Sequence, residues 1–138
     1  LNTDDLVHLR RARDFIDREF AEPLDVPAMA RAAHASPSHF ARQYREAFGE
    51  SPYQHLLTRR IERAMALLRE SDLGVREVCT AVGFHSLGSF SARFREIVGV
   101  TPTAYRAASA VPREVPGCIV RALARPSRNR EIAGSGGR

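Results

Sequence analysis

The chain has 138 residues, 43% hydrophobic and 27% charged, a balance that suits one ordinary soluble domain or two very small ones. No run of eighteen apolar residues occurs, which excludes a membrane-spanning helix, and the N-terminus lacks the basic segment and apolar core of a secretory signal. The net charge of +5 comes entirely from arginine, because lysine is absent; a basic balance of this size is only a weak pointer to nucleic acid.

Leu6, Leu9, Ala12, Phe15, Ile16 and Phe20 keep a helical stripe, so a first helix is predicted from Leu6 to Phe20. Thr3, Asp4 and Asp5 sit at its favourable N-terminal end. Asp25 then caps a short helix with Pro27 in its first turn, running to about Ala33 on Val26, Met29, Ala30 and Ala33. A third helix runs from Pro37 to Phe48. Its buried stripe is Phe40, Tyr44, Ala47 and Phe48, and Gly49 stops it.

Ser51 is the N-cap and Pro52 the first position of a long amphipathic helix reaching Ser71, about twenty residues and so roughly 30 Å. Leu56, Leu57, Ile61, Ala64, Met65, Leu67 and Leu68 form its stripe; Arg59, Arg60, Glu62, Arg63 and Arg69 fill the other positions. Past Gly74, Val75, Val78, Cys79 and Val82 predict another short helix, and Gly83-Phe84-His85 a turn. Ser86 caps a helix to Val98 with Phe90, Phe94, Ile97 and Val98 inside, and Gly99 ends it. Thr101-Pro102 opens a last helical piece through Tyr105 to Ala108. From Val111 on, Pro, Gly, Ser and Arg dominate, which reads as a basic flexible tail carrying +4 of the net charge.

The strongest pattern is an internal repeat. At an offset of 50, Ser36 meets Ser86, Phe40 meets Phe90, Tyr44 meets Phe94, Arg45 meets Arg95, Glu46 meets Glu96, Gly49 meets Gly99, and Ser51-Pro52 meets Thr101-Pro102. Upstream the offset is 49, pairing Val26 with Val75, Met29 with Val78, Ala30 with Cys79 and Ala33 with Val82. Two short helices joined by a tight turn are a helix-turn-helix, and two copies flank one connecting helix. An unspecialised helical hairpin repeat is the bland alternative; the joint recurrence of cap, stripe and stop argues against it.

A recognition helix packs one face on its partner and offers the other to the major groove. At 100° per residue, the face of helix 37–48 opposite Phe40, Tyr44 and Ala47 holds Ser38, Arg42, Arg45 and Glu46, with His39 at its flank. Arg42 is the base-reading candidate, since its fork matches O6 and N7 of guanine. Arg45 and Ser36 suit phosphate. In the second copy the buried face is Phe90, Phe94 and Ile97. Opposite lie Gly88, Ala92 and Arg95, flanked by Ser89 and Arg93. Ala92 stands where Arg42 stands in the first copy. This copy therefore suits close approach and thymine methyls, with Arg93 and Arg95 on phosphates. A solvated helix face is the plain reading of any one of these residues; inside a helix-turn-helix it loses ground.

The stretch Gly83 to Arg106, GFHSLGSFSARFREIVGVTPTAYR, resembles the C-terminal signature of the AraC/XylS family of transcription regulators, and the resemblance extends over about residues 6–108. It implies an all-α, homeodomain-like domain of seven helices, with two helix-turn-helix subdomains on a connecting helix. It also implies sequence-specific double-stranded DNA binding that regulates transcription, with the recognition helices in adjacent major-groove segments on one DNA face. The family's base-contacting positions fall on Ser38, Ala41 and Arg42 in the first copy and on Leu87, Gly88, Ser89 and Ala92 in the second. Ser86, the counterpart of Ser36, joins this candidate set. Many members carry Arg at the position of Ala92, whereas here Arg comes one residue later, at Arg93. Most also carry an effector-binding domain before this one, and a first helix near residue 6 leaves no room for it.

The expected layout is a first helix-turn-helix subdomain at 1–50, a connecting helix at 51–73, a second subdomain at 74–110 and the tail at 111–138. No enzyme is expected: there is no HExxH, no CxxC and no Gly-rich phosphate loop, so neither metal nor cofactor is implied. Cys79 reads as core and Cys118 as a lone tail thiol. Two cysteines make no disulfide framework and fit a reducing cytoplasm. The expected partner is double-stranded DNA, bound by a monomer, with RNA polymerase a further candidate and no membrane. A protein-interaction adaptor on the same scaffold is the competing class, which acidic outer faces would have favoured.

Overall fold

The computed structural model describes residues 1–110, so the tail and Cys118 lie outside the described residues. Among the described residues every regular element is a helix: α1 (Thr3–Glu19), α2 (Val26–Ala32), α3 (Pro37–Phe48), α4 (Pro52–Glu70), α5 (Val75–Ala81), α6 (Leu87–Val98) and α7 (Pro102–Ser109). The all-α, seven-helix expectation holds.

Helix α1 begins at Thr3, three residues before its apolar stripe. Asn2 Oδ1 accepts from the Asp5 amide at 2.8 Å, and Asp5 Oδ2 accepts from the Asn2 amide at 3.2 Å. This reciprocal cap satisfies two end amides that the stripe alone does not announce. Asp25 caps α2 through the Ala28 amide at 2.9 Å, and Ser51 caps α4 through the Gln54 amide at 3.1 Å. Gly49 and Gly99 end α3 and α6 in the left-handed region, φ 79° and 97°, each donating its amide back to the helix.

The chain packs as two units that divide inside α4, Leu1–Glu62 and from Arg63 onward. In the first, α1, α2 and α3 bury Leu9, Ala12, Ile16, Met29, Ala30, Phe40 and Tyr44 together with Leu56 of α4. Each large side chain so buried contributes about 1.5–3 kcal/mol. In the second, Val78, Val82, Phe84, Phe90 and Phe94 are buried, and the rings run as a chain of contacts, edge to face at both ends and tilted in the middle. Phe84 meets Phe90 at 5.4 Å, Phe90 meets Phe94 at 5.8 Å, and Phe94 meets Tyr105 at 5.7 Å. Cys79 is buried as expected; its Sγ lies 3.6 Å from the Ser86 carbonyl, and burial pushes the thiol pKa up.

Two packing expectations are corrected. Ile97, predicted inside, is 37% exposed. It shares the helical phase of Phe90 and Phe94, but it lies in the last turn of α6, and phase does not say how far along a helix its partners extend. Arg60, predicted on the polar side of α4, is only 8% exposed. Its Nε donates to the Phe20 carbonyl at 2.6 Å and its Nη2 to the Glu22 carbonyl at 2.8 Å, closing the chain end that leaves α1. In the second unit Arg106 does the same for α4, donating to the carbonyls of Leu68 at 3.1 Å and Ser71 at 3.4 Å. Carbonyls at helix ends lack intrahelical donors, and a guanidinium fork can serve two at once.

The two turns differ at one backbone position. Gly83 carries φ 97°, as a tight turn between short helices requires, whereas its counterpart His34 carries φ 55°. A side chain held there costs about 1–2 kcal/mol that glycine avoids.

Candidate nucleic-acid interface

Helix α3 is pinned from behind and open in front. Phe40 and Tyr44 are fully buried. Ser36, Ser38, His39, Arg42 and Arg45 are exposed, and Ala41 is half-buried at the margin. The front face forms a shallow concavity of about 630 Å³ lined by Ser38, Ala41, Arg42, Arg45, Glu46 and Ser51. Among the described residues the side chains of Arg42 and Arg45 take part in no hydrogen bond or ion pair, so both guanidinium forks are available. Ser36 occupies the N-cap position without using its hydroxyl for capping.

Helix α6 repeats the frame with different chemistry. Phe90 and Phe94 are buried; Ser86, Gly88, Ser89, Ala92, Arg93 and Arg95 are exposed, and Leu87 is half-buried. Ser86 caps the helix, its Oγ accepting from the Ser89 amide at 3.1 Å. Arg93 is tied to Glu96 one turn on at 2.7 Å, while the Arg95 side chain has no partner among the described residues. A methyl group at Gly88 would meet only Ser86 Oγ at 3.7 Å, an ordinary contact, so intramolecular packing does not demand glycine there.

The candidate residues thus fall into two clusters, one on each unit, each on the solvent side of a helix held by two buried rings. Glu46 and Ser51 also line the first concavity; Glu46 was legible from its helical phase, Ser51 only as a cap. Ser51 reaches the concavity because Gly49 turns the chain sharply back after α3.

A family model described as a helix-turn-helix domain matches residues 29–108. The chain is 37% identical over 83 residues to the MmsAB operon regulatory protein of Pseudomonas aeruginosa, covering 60% of this chain and 27% of that one. It is 38% identical over 84 residues to the HTH-type transcriptional regulator GlxA of Rhizobium meliloti, covering 61% and 26%. The chain therefore spans about a quarter of the length of these relatives. Among solved structures it is similar to the DNA-binding domain of AdpA, a global transcriptional factor in complex with a target DNA. The TM-score is 0.73 at 34% identity, over 78% of this chain and 97% of that one. The C-terminal domain of AraT, a response regulator from Geobacillus stearothermophilus, matches with TM-score 0.73 at 28% identity, over 80% and 92%.

Proposed function

Because this chain belongs to the AraC-type helix-turn-helix family, we propose that it binds double-stranded DNA sequence-specifically, with α3 and α6 as tandem reading heads in the major groove, and so regulates transcription. The observation that carries this reading is the unpaired Arg42 fork, centred on the exposed face of a helix whose back is locked by Phe40 and Tyr44. A rigid helix presenting a free planar donor pair meets the geometric demand of reading guanine from the groove. Arg45, Ser36, Arg93 and Arg95 take phosphates; Ser38, His39 and Ala41 in the first head, and Leu87, Gly88, Ser89 and Ala92 in the second, face base edges. Residues 1–50 and 74–110 form the two subdomains on the connecting helix 51–73.

In this reading the protein acts in the cytoplasm as a monomer on DNA, contacts RNA polymerase as a regulator, and catalyses nothing. Two unlike heads on one chain call for a non-palindromic site, since no second chain is needed to supply the second head. Selection from a random duplex pool, followed by footprinting, tests this. The expected result is one asymmetric motif and binding that weakens steeply with salt. A motif with two-fold symmetry would replace the monomer by a dimer. Salt-insensitive binding with no selected motif would favour the protein-interaction adaptor.

A further inference from the structure

The first reading head carries an acid among its arginines. Glu46 lines the same concavity as Arg42 and Arg45, and its side chain is 62% exposed. Among the described residues the only partner of its carboxylate is the Leu1 ammonium, 3.9 Å from Oε2. That distance is too long for a hydrogen bond, and exposed pairs of this kind hold a side chain weakly. The other copy shows the same acid with a close partner. Glu96 of α6 is held at 2.7 Å by Arg93, three residues before it. In α3 the residue three before Glu46 is Gln43, which brings no charge. The acceptor is therefore tied down in the second head and open in the first.

Neither the helix nor the DNA backbone favours a carboxylate at this place. Glu46 lies in the last turn of α3, which ends at Phe48, and the negative end of a helix dipole repels an acid. On a face that meets duplex, a carboxylate also repels phosphate. A base edge that offers a donor is the part of the groove that rewards it. Cytosine presents its N4 amino group alone, and a carboxylate accepts from it. Adenine sets the N7 acceptor beside its N6 amino group, so the second carboxylate oxygen is repelled; guanine and thymine present no donor in the major groove. Residues 42 and 46 are separated by about 6 Å along the helix, against about 3.4 Å per base step. Their side chains thus reach bases one or two steps apart.

We propose that Glu46 is a specificity-determining residue of the first head, its carboxylate accepting a hydrogen bond from the N4 amino group of a cytosine one or two steps from the guanine read by Arg42. The proposal rests on the reading of α3 as a recognition helix. It gives that head a second base contact, which the second head lacks because Arg93 occupies Glu96.

The test is selection from a random duplex pool with the full chain as wild type, Glu46→Ala and Glu46→Gln. It is followed by affinities for the wild-type site and for the same site with the cytosine pair replaced. The residue is exposed, and thermal melts confirm that each variant is folded. Wild type should select a cytosine within two steps of the guanine in one half of the site, and should lose roughly tenfold in affinity when that pair is replaced. Glu46→Ala should keep the guanine and bind the two sites equally. Glu46→Gln should move the preference to adenine, whose N6 and N7 suit an amide. A wild-type motif without that cytosine, or undiminished cytosine discrimination in Glu46→Ala, overturns the proposal while leaving DNA binding intact. So does an unchanged motif in both variants with tighter binding to every duplex, since Glu46 then acts by repulsion alone. A wild type that selects no motif overturns the DNA-reading assignment itself.

Discussion

His55 of α4 and Asp17 of α1, 38 positions apart, meet at 2.8 Å through Nε2 and Oδ1. The other ring nitrogen lies 3.2 Å from Glu50, and Arg59 Nε lies 3.2 Å from the same Asp17 oxygen. One imidazole thus bridges the helix that opens the first unit and the turn that leaves its reading head. At the matching place in the second unit stands Tyr105, whose hydroxyl accepts from Arg69 at 2.6 Å. The tie between closing and opening helix is kept in both units, but only the first uses a group that titrates near neutrality.

The first unit should therefore lose stability as pH rises. Burial alone would lower the His55 pKa; hydrogen bonds and charge from Glu50 and Asp17 outweigh it and raise the pKa above the ordinary 6.5. A group whose pKa is raised on folding stabilises fully below its unfolded value, and that contribution fades as pH climbs through the folded value. Melting temperatures from about pH 6 to pH 8.5 should fall for the wild type and stay flatter for His55→Gln. Parallel profiles in the two proteins would remove His55 from the explanation.

Removing one oxygen from the core should strengthen it. The Tyr44 hydroxyl is buried without a hydrogen-bond partner among the described residues, and burial, with Glu50 nearby, pushes the phenol pKa well up. The second unit has Phe94 at the same place. Tyr44→Phe should gain about 1 kcal/mol, because an unsatisfied polar group is deleted at almost constant volume. Denaturant unfolding gives the number directly, and a loss of stability would mean that the hydroxyl has a partner, such as a buried water.

Arg60 should behave as a structural bolt. Arg60→Ala strands two carbonyls and removes two short hydrogen bonds made by a charged, buried donor. A loss of about 2–3 kcal/mol is expected. Lysine should not restore it, since a single ammonium lacks the fork that spans both oxygens. Full rescue by Arg60→Lys would show that charge, not geometry, is what the site requires.

The two heads should read DNA with unequal sharpness. Arg42→Ala should flatten base preference in one half of the site, by roughly 1–3 kcal/mol of discrimination per guanine contact. Arg95→Ala should weaken all sequences alike, because a phosphate contact carries no base information. Under α6, Gly88 and Ala92 offer close approach and methyl contact, leaving preference to DNA shape. Arg93 could compensate only by leaving Glu96, an exposed pair worth at most about 1 kcal/mol. A selected motif equally sharp in both halves, with Arg93→Ala erasing one, would reverse this assignment.

Most of the fold was legible because it is written locally. Periodic aromatic stripes, caps such as Asp25, Ser51 and Ser86, and stops such as Gly49 and Gly99 place six helices within a residue or two. The start of α1 is not legible from its stripe, because the capping pair, Asn2 and Asp5, lies ahead of Leu6, where the stripe begins. Charge alone puts Arg60 on the polar side of α4, although its spacing from Leu56 and Ala64 puts it on the apolar stripe, where it is buried. The groove faces follow from helical phase. The small cavity that His8, His34 and His39 share does not: the three converge only because α1 packs beside α3, and no spacing rule encodes that.

The placement of the tyrosines carries an optical consequence. The chain has no tryptophan and only three tyrosines. Tyr44 lies sealed in the first unit, Tyr105 is hydrogen-bonded to Arg69 in the second, and Tyr53 is 52% exposed to solvent. Near-ultraviolet spectra therefore hold one chromophore for each unit over a solvent-like background. With Tyr53→Phe as the parent, Tyr44→Phe leaves a chain that reports on the second unit alone, and Tyr105→Phe one that reports on the first. Whether the two halves melt together or in sequence can then be read without attaching any label.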